Sequence, residues 1–219
     1  MRTVANKWKK FEVLKQHGGV AKHIPHMQPF SEAALRAMLD RYRFVVAKPY
    51  IGTGGGGVVK VEKIGEGRYL THYRYTEKIF TGIPQLVRYI DGIRRGRQYM
   101  VQQGIDLARV GGRRTDYRVK IVKQPSGVWK ITAVVARIAK PGLFVTNLCQ
   151  GGHLMKGMQA LRVCFPKKAK DKRLTMIGVA RTCTKLLEQK YPGISQLGFD
   201  FGIDRQGTVW ILEVNTRPH

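Results

Sequence analysis

The chain has 219 residues, a mass of 24.8 kDa and 43% hydrophobic residues, enough to bury a substantial core and to exclude a wholly disordered polymer. No run approaches the roughly 20 apolar residues that cross a bilayer, and the first residues are polar, so a soluble, cytoplasmic protein is the expectation. Forty Lys and Arg against 14 Asp and Glu give a formal charge of +26, far above the roughly 2–8 units usual for a small domain, and a polyanion is expected among its partners.

In chain order, Ser31 is a candidate N-cap, and Leu35, Met38, Leu39 and Tyr42 follow at helical spacing, so 31–43 reads as an amphipathic helix. Phe44 to Lys48 is a short apolar strand, Gly54–Gly57 a glycine loop, and Gly57 to Val61 a second strand. The β-branched and aromatic run Arg68 to Tyr75 predicts another strand, Ile83 to Ile90 a short helix with Pro84 in its first turn, and Gln98 to Gln103 extended chain. Asp116 to Lys123 and Val128 to Ala139 flank a Gln-Pro-Ser-Gly turn and read as an antiparallel hairpin. Asp171 to Lys190 is the longest helical pattern, and 196–215 forms a final hairpin. The organisation expected is an N-terminal segment and helix over 1–43, a glycine-loop subdomain over 44–103 and a core over 104–219.

Basic residues cluster at Lys7, Lys9 and Lys10, at Arg94, Arg95 and Arg97, at Arg109, Arg113 and Arg114, and from Lys167 to Arg173. That spread suits a basic surface rather than a basic arm. The cysteines Cys149, Cys164 and Cys183 lack C-x-x-C spacing, and His17, His23 and His26 have no carboxylate or thiol close by, so neither set predicts a zinc site.

The last hairpin carries the sharpest chemistry. Strict alternation puts Leu197, Phe199, Phe201 and Ile203 on one face and Asp200 on the other, and Glu213 and Asn215 share a face by the same period. With a two-residue turn at Arg205-Gln206, Asp204 pairs with Gly207, Asp200 lies opposite Ile211, and Asp200, Glu213 and Asn215 point the same way. A three-residue turn would reverse Asp200. Two carboxylates and an amide oxygen are hard ligands of the kind Mg²⁺ takes, although spacing alone equally describes a solvated face. Upstream, Lys48 precedes Gly54, Gly55, Gly56 and Gly57, a run that lets backbone N–H groups approach phosphates but lacks the Walker order, and a plain turn would look the same. Asp116 and Arg118 share a strand face, and Arg137 follows on the partner strand, guanidinium groups suited to a transferring phosphoryl group or to surface ion pairs.

The order lysine strand, glycine loop, Gln102-Gln-Gly-Ile105, Asp116-x-Arg118, Arg137, Thr146-Asn147-Leu-x-x-Gly-Gly152, Gly198-Phe-Asp200 and Glu213-Val-Asn215-Thr resembles the ATP-grasp superfamily over nearly the whole chain. Within it the chain is most similar to the spore-coat-associated ATP-grasp proteins of endospore-forming bacteria. The resemblance implies an α+β fold of two antiparallel-sheet lobes with flanking helices and ATP between them. It implies an ATP- and Mg²⁺-dependent carboxylate–amine ligase working through an acyl phosphate. Lys48 and Gly54–Gly57 would hold the phosphates, Gln103 and Gly104 the adenine, Asp116 the nucleotide, and Asn147 the phosphate region. Arg118 and Arg137 would act on the transferred group, and Asp200, Glu213 and Asn215 would bind metal.

Family members usually carry a further N-terminal domain, so the acceptor-binding part is expected to be reduced or supplied by another chain. Partners expected on this basis are ATP, a carboxylate substrate of amino-acid or acidic-peptide type and an amine acceptor, with no membrane; the charge leaves an acidic protein assembly open as a partner, and a homodimer is left open as well. The rival readings are a basic nucleic-acid-binding module, motivated by the charge, and a structural spore-coat protein with a relic ATP site.

Overall fold

The computed structural model describes residues 2–218. Its first elements are α1 (Lys7–Lys15), α2 (Gly18–Ala21), β1 (Met27–Pro29), α3 (Glu32–Arg41), β2 (Phe44–Pro49) and β3 (Val59–Gly65). They are followed by β4 (Arg68–Tyr73), β5 (Thr76–Thr81), α4 (Ile83–Arg94), β6 (Tyr99–Gln103), β7 (Arg109–Val110) and β8 (Arg113–Lys123). The rest are β9 (Trp129–Ile138), β10 (His153–Lys156), α5 (Gly157–Cys164), α6 (Ala169–Lys190), β11 (Gln196–Ile203) and β12 (Val209–Asn215).

These elements group into two compact units. One comprises Pro25–Gly104 and the strap Gly142–Val145; the other comprises the residues up to Ile24, Ile105–Pro141 and the chain from Thr146 onward. The expected segment 1–43 is thus divided at Ile24/Pro25, and the glycine-loop unit begins well before residue 44.

The Pro25–Gly104 unit is a six-stranded antiparallel sheet in the order β1-β6-β2-β3-β4-β5. Helices α3 and α4 lay Leu35, Met38, Leu86 and Ile90 over Val45, Ala47, Val59 and Val101, each such side chain contributing roughly 1.5–3 kcal/mol on burial. Ser31 caps α3 as expected, accepting from Ala34 N at 3.1 Å. Two expectations shift. The second strand starts at Val59 rather than Gly57, because Gly54, Gly55 and Gly57 take positive φ in the loop. The strand expected over Arg68–Tyr75 breaks at Arg74, which sits at φ 54° and turns the chain into β5.

The other unit carries an antiparallel sheet in the order β10-β9-β8-β11-β12, with β7 paired to β8. Tyr117, Val119, Phe199, Phe201 and Ile211 are fully buried, as are Met176, Ala180 and Leu187 of α6. The outer edge of β12 is closed by the chain's own beginning: Ile211 N donates to His23 O at 2.7 Å, and Val4 N to Thr216 Oγ1 at 2.9 Å. Among the described residues no helix is long and apolar enough to cross a membrane.

Gly104 ends β6 where a Cβ would fall 2.5 Å from the Phe44 carbonyl oxygen. Gly104→Ala is expected to lower stability by about 3 kcal/mol, or roughly 6–12 °C in Tm. Gly178→Ala is the control: mid-helix in α6, with open space at its Cβ position, it is expected to raise Tm by about 1–3 °C. Calorimetric melting of both variants distinguishes steric need from incidental glycine.

Candidate functional site

The register of the last hairpin differs from expectation in two places that cancel. Its turn has three residues, Arg205 to Gly207: Gly207 N donates to Asp204 O at 2.9 Å, Gly207 takes φ +87°, and Asp204 Oδ1 accepts from Thr208 N at 2.8 Å. Phe201 therefore pairs with Ile211, and by regular pairing Asp200 would face Leu212. A β-bulge between Asp200 and Phe201 then moves Asp200 opposite Glu213 and Gly198 opposite Asn215. A Cβ on Gly202 would meet Leu212 at 3.1 Å, so Leu212 joins Glu213 on the polar face. The expected pairing of Asp200 with Ile211 is wrong, yet Asp200, Glu213 and Asn215 share a face.

That face continues across β8 and β9. Asp116 is the register partner of Arg137, and Arg118 that of Asp200. Arg137 Nε donates to Asp116 Oδ1 at 2.8 Å, and its Nη2 reaches both Asp116 Oδ2 and, at 3.0 Å, Asp200 Oδ2. Arg118 holds Asp200 with a two-point fork, Nε to Oδ1 at 2.8 Å and Nη2 to Oδ2 at 2.9 Å. Asp116, Arg137 and Asp200 are only 3–4% exposed, so the charges compensate one another in place of water. Burial pushes the Asp200 carboxyl up, but Arg137 and Arg118 outweigh it and hold it below the usual range. Asp116 is pushed up by burial, against Arg137, with Asp200 adding like charge. The Thr146 hydroxyl donates to Asp116, and Asn147 follows it at the start of a 3-10 turn, Leu148–Gln150.

Two lysines that sequence reading placed on the surface are buried beside this face. Lys7 and Lys10 are 5% and 2% exposed, while Lys9 stays exposed. Lys7 Nζ lies 3.6 Å from Glu213 Oε1, and Lys10 Nζ donates to Val4 O at 2.6 Å. Burial pulls Lys10 down to about 8 against the raising charge of Glu213, and the like charge of Lys7 pulls the same way as burial. The available signal was spacing: Lys7, Lys10, Phe11 and Leu14 occupy the i, i+3, i+4, i+7 stripe of α1, all buried.

In the other unit Lys48, 8% exposed, stands on the face of β2 opposite the core residues Val45 and Ala47, level with Met100. On the same face Gln102 is 4% exposed, and its Nε2 has no hydrogen-bond partner among the described residues. The sequence offered no reason to single out Gln102 from its neighbour. Gly54–Gly57 form the loop between β2 and β3, with Gly56 N donating to Thr53 O at 3.2 Å. Gln103 and Gly104 end β6, where Gln103 Oε1 accepts from His26 N at 3.2 Å and Gly104 N donates to Phe44 O at 2.9 Å.

The family model for YheC/D like ATP-grasp proteins matches residues 2–219. The chain belongs to this ATP-grasp family. Among curated proteins it is similar to the endospore coat-associated protein YheD of Bacillus subtilis (strain 168), 27% identical over 99% of this chain and 49% of YheD. It is also similar to the endospore coat-associated protein YheC of the same strain, 24% identical over 99% of this chain and 61% of YheC. The chain thus spans about half to three-fifths of these relatives. Among solved structures, an ADP complex of N5-carboxyaminoimidazole ribonucleotide synthetase shares the ATP-grasp fold, with a TM-score of 0.56 and 12% identity over 98% of this chain and 45% of that one.

In this ATP-grasp chain the donor chemistry at β11 and β12 fits Mg²⁺: Asp200 and Glu213 are direct cross-strand partners with Asn215 beside them. Among the described residues, however, no three His, Cys, Asp or Glu side chains are already gathered around a cation position. Asp200 is engaged by two arginines and Glu213 lies by Lys7. The positive side chains therefore compensate the two carboxylates within the fold itself.

Arg137→Ala leaves Asp116 and Asp200 buried with one guanidinium between them. The expected cost at pH 7 is about 3–5 kcal/mol, shrinking as pH falls and the stranded carboxyls take up protons. In the wild type Asp200 works the other way: held low, it contributes stability above its unfolded value of about 3.9 that is lost only as pH drops through its lower folded value, while Asp116, held high, is relieved of its buried charge as it protonates. Urea unfolding across pH 3–8 checks both.

Proposed function

We propose that this chain is the nucleotide-handling part of a Mg²⁺- and ATP-dependent carboxylate–amine ligase. The observation that carries this reading is the buried array of Asp116, Arg137, Asp200 and Arg118, embedded in an ATP-grasp fold. An array of fixed guanidinium forks needs little reorganisation to receive a phosphoryl group. The two carboxylates hold the forks in place beforehand.

In this reading a substrate carboxylate oxygen attacks the γ-phosphorus of ATP, ADP leaves, and an acyl phosphate results; an amine then displaces phosphate to give the amide. Arg118 and Arg137 neutralise the equatorial oxygens of the moving group. Lys48 and the Gly54–Gly57 N–H groups bind the phosphates, and Gln103 and Gly104 meet the adenine. Asp116 serves the nucleotide through its grip on Arg137, and Asn147 lies by the phosphates. The unpartnered Gln102 amide supports a polar ligand on the Lys48 face. Asp200, Glu213 and Asn215 hold Mg²⁺, which supplies charge neutralisation on the phosphate oxygens. The cationic neighbours Lys7, Arg118 and Arg137 favour entry of the metal together with its polyphosphate. The carboxylate is an amino acid or acidic peptide, and the spore coat is the proposed setting, resting on the relatives' names.

Asp200→Asn and Glu213→Gln are expected to lower Mg²⁺-dependent ADP release, screened over amino acids and acidic peptides, by about 10²-fold or more. Lys48→Ala is expected to weaken Mg-ATP binding in calorimetry while leaving apo melting within about 2 °C. Unchanged turnover in the carboxylate variants would refute the metal assignment, and no wild-type binding at millimolar Mg-ATP would favour a structural protein.

A further inference from the structure

From Tyr117 to Lys170 the sequence holds eleven Lys and Arg and not one Asp or Glu. The phosphate-handling residues account for two of the eleven, Arg118 and Arg137. Part of the remainder converges on a feature outside that site. Strand β9 pairs with β8 along Trp129–Ile138, but β10 covers its other side only from Val135 to Ile138. Trp129 to Ala133 thus forms an edge with no strand beside it among the described residues, while at Val134 the start of α5 closes in, a Cβ on Gly157 falling 2.7 Å from the Val134 carbonyl oxygen.

A groove runs along this edge. One cavity of about 720 Å³ is lined by Val128 to Ile131 and by Arg181 of α6. A second of about 280 Å³ is lined by Ile131 to Val134, Lys156 and Arg173. They share Ile131, so the open stretch is followed end to end. The side chains of Lys130, Lys156, Arg173 and Arg181 have no ion pair or hydrogen bond among the described residues. A neighbouring acid, Glu188, is already engaged by Lys123 at 2.6 Å and by the Trp129 indole at 2.9 Å.

We infer that this groove docks an extended acidic peptide segment, which adds to β9 as a further strand and sets its carboxylates against Lys130, Lys156, Arg173 and Arg181. An exposed strand edge offers alternating N–H and C=O groups, which another peptide backbone satisfies and a phosphodiester backbone, having no donors, does not. Carboxylates two residues apart repeat at roughly 6.6–6.8 Å along one face of a strand, so an alternating acidic segment presents a row of acids to the cations that line the two cavities. Lysines and bulges on edges also serve to prevent aggregation, and Thr132 is the extra residue of a bulge here. Arg173 and Arg181, however, reach the groove from α6, where edge protection does not require them. The bulge divides the open edge, leaving Trp129–Ile131 as its longer pairing segment and Ala133 beyond it.

The test is fluorescence anisotropy on the full chain with a labelled ten-residue peptide of alternating Glu and Val. It is run beside the same peptide N-methylated at alternate amides and a single-stranded DNA oligomer of equal charge. The parent peptide is expected to bind at least about tenfold tighter than either comparator, tenfold corresponding to about 1.4 kcal/mol. Lys130→Glu with Arg181→Glu, both exposed positions, is expected to weaken it about tenfold or more with melting unchanged. Equal binding of parent and N-methylated peptide would overturn strand addition, as would DNA binding as tightly as peptide. Undiminished binding by the charge-reversed protein, or by Lys156→Gln with Arg173→Gln if the reversal unfolds it, would overturn the assignment of the groove.

Discussion

A chain of alternating charges, Asp116 to Arg137 to Asp200 to Arg118, crosses three adjacent strands, buried but for the half-buried Arg118 at its end, and the arrangement of β8, β9 and β11 depends on it. Each ion alone would cost several kcal/mol to remove from water. Two-point geometry and cross-strand register recover that cost, and in return they leave almost no freedom in how the strands align. A one-residue slip of β11 against β8 would carry Asp200 to the opposite face and strand both arginines. Specificity of register is thus written in electrostatics on one face and in aromatic packing of Phe199 and Phe201 on the other.

The neighbouring hairpin reaches the same end by different means. Its three-residue turn and its bulge each shift the pairing by one, and together they leave the carboxylates on one side. The bulge also places Leu212 beside Glu213, which re-aims the acidic side chain toward α1. There Lys7 and Lys10 form a counter-charge built from the first helix of the chain. The surplus of positive charge is therefore of two kinds, solvated on most of the surface and desolvated at Lys7, Lys10, Lys48 and Arg137.

Much of this was legible in the residues. The Ser31 cap, the long helix ending at Lys190, the β8–β9 hairpin and the face-sharing of Asp116 with Arg118 follow from local rules that tertiary context did not override. The order of motifs was sufficient to name the superfamily. Other features were beyond local reading. Arg74 adopts left-handed backbone without a glycine or asparagine to announce it. The bulge at Asp200 depends on pairing to both β8 and β12, and no local pattern encodes it. Lys7 and Lys10 looked like solvent-facing charge because their partner, Glu213, is two hundred residues away in sequence.

The division of the chain into units has a consequence for synthesis on the ribosome. Pro25–Gly104 is nearly continuous and needs only the four-residue strap Gly142–Val145 for completion. The unit that carries Asp200 and Glu213 is instead assembled from three separate pieces, and α1 waits for β12 before its lysines find a counter-ion. During translation α1 therefore emerges about two hundred residues ahead of β12, and Phe11 and Leu14 stay uncovered by this unit while the intervening chain is made.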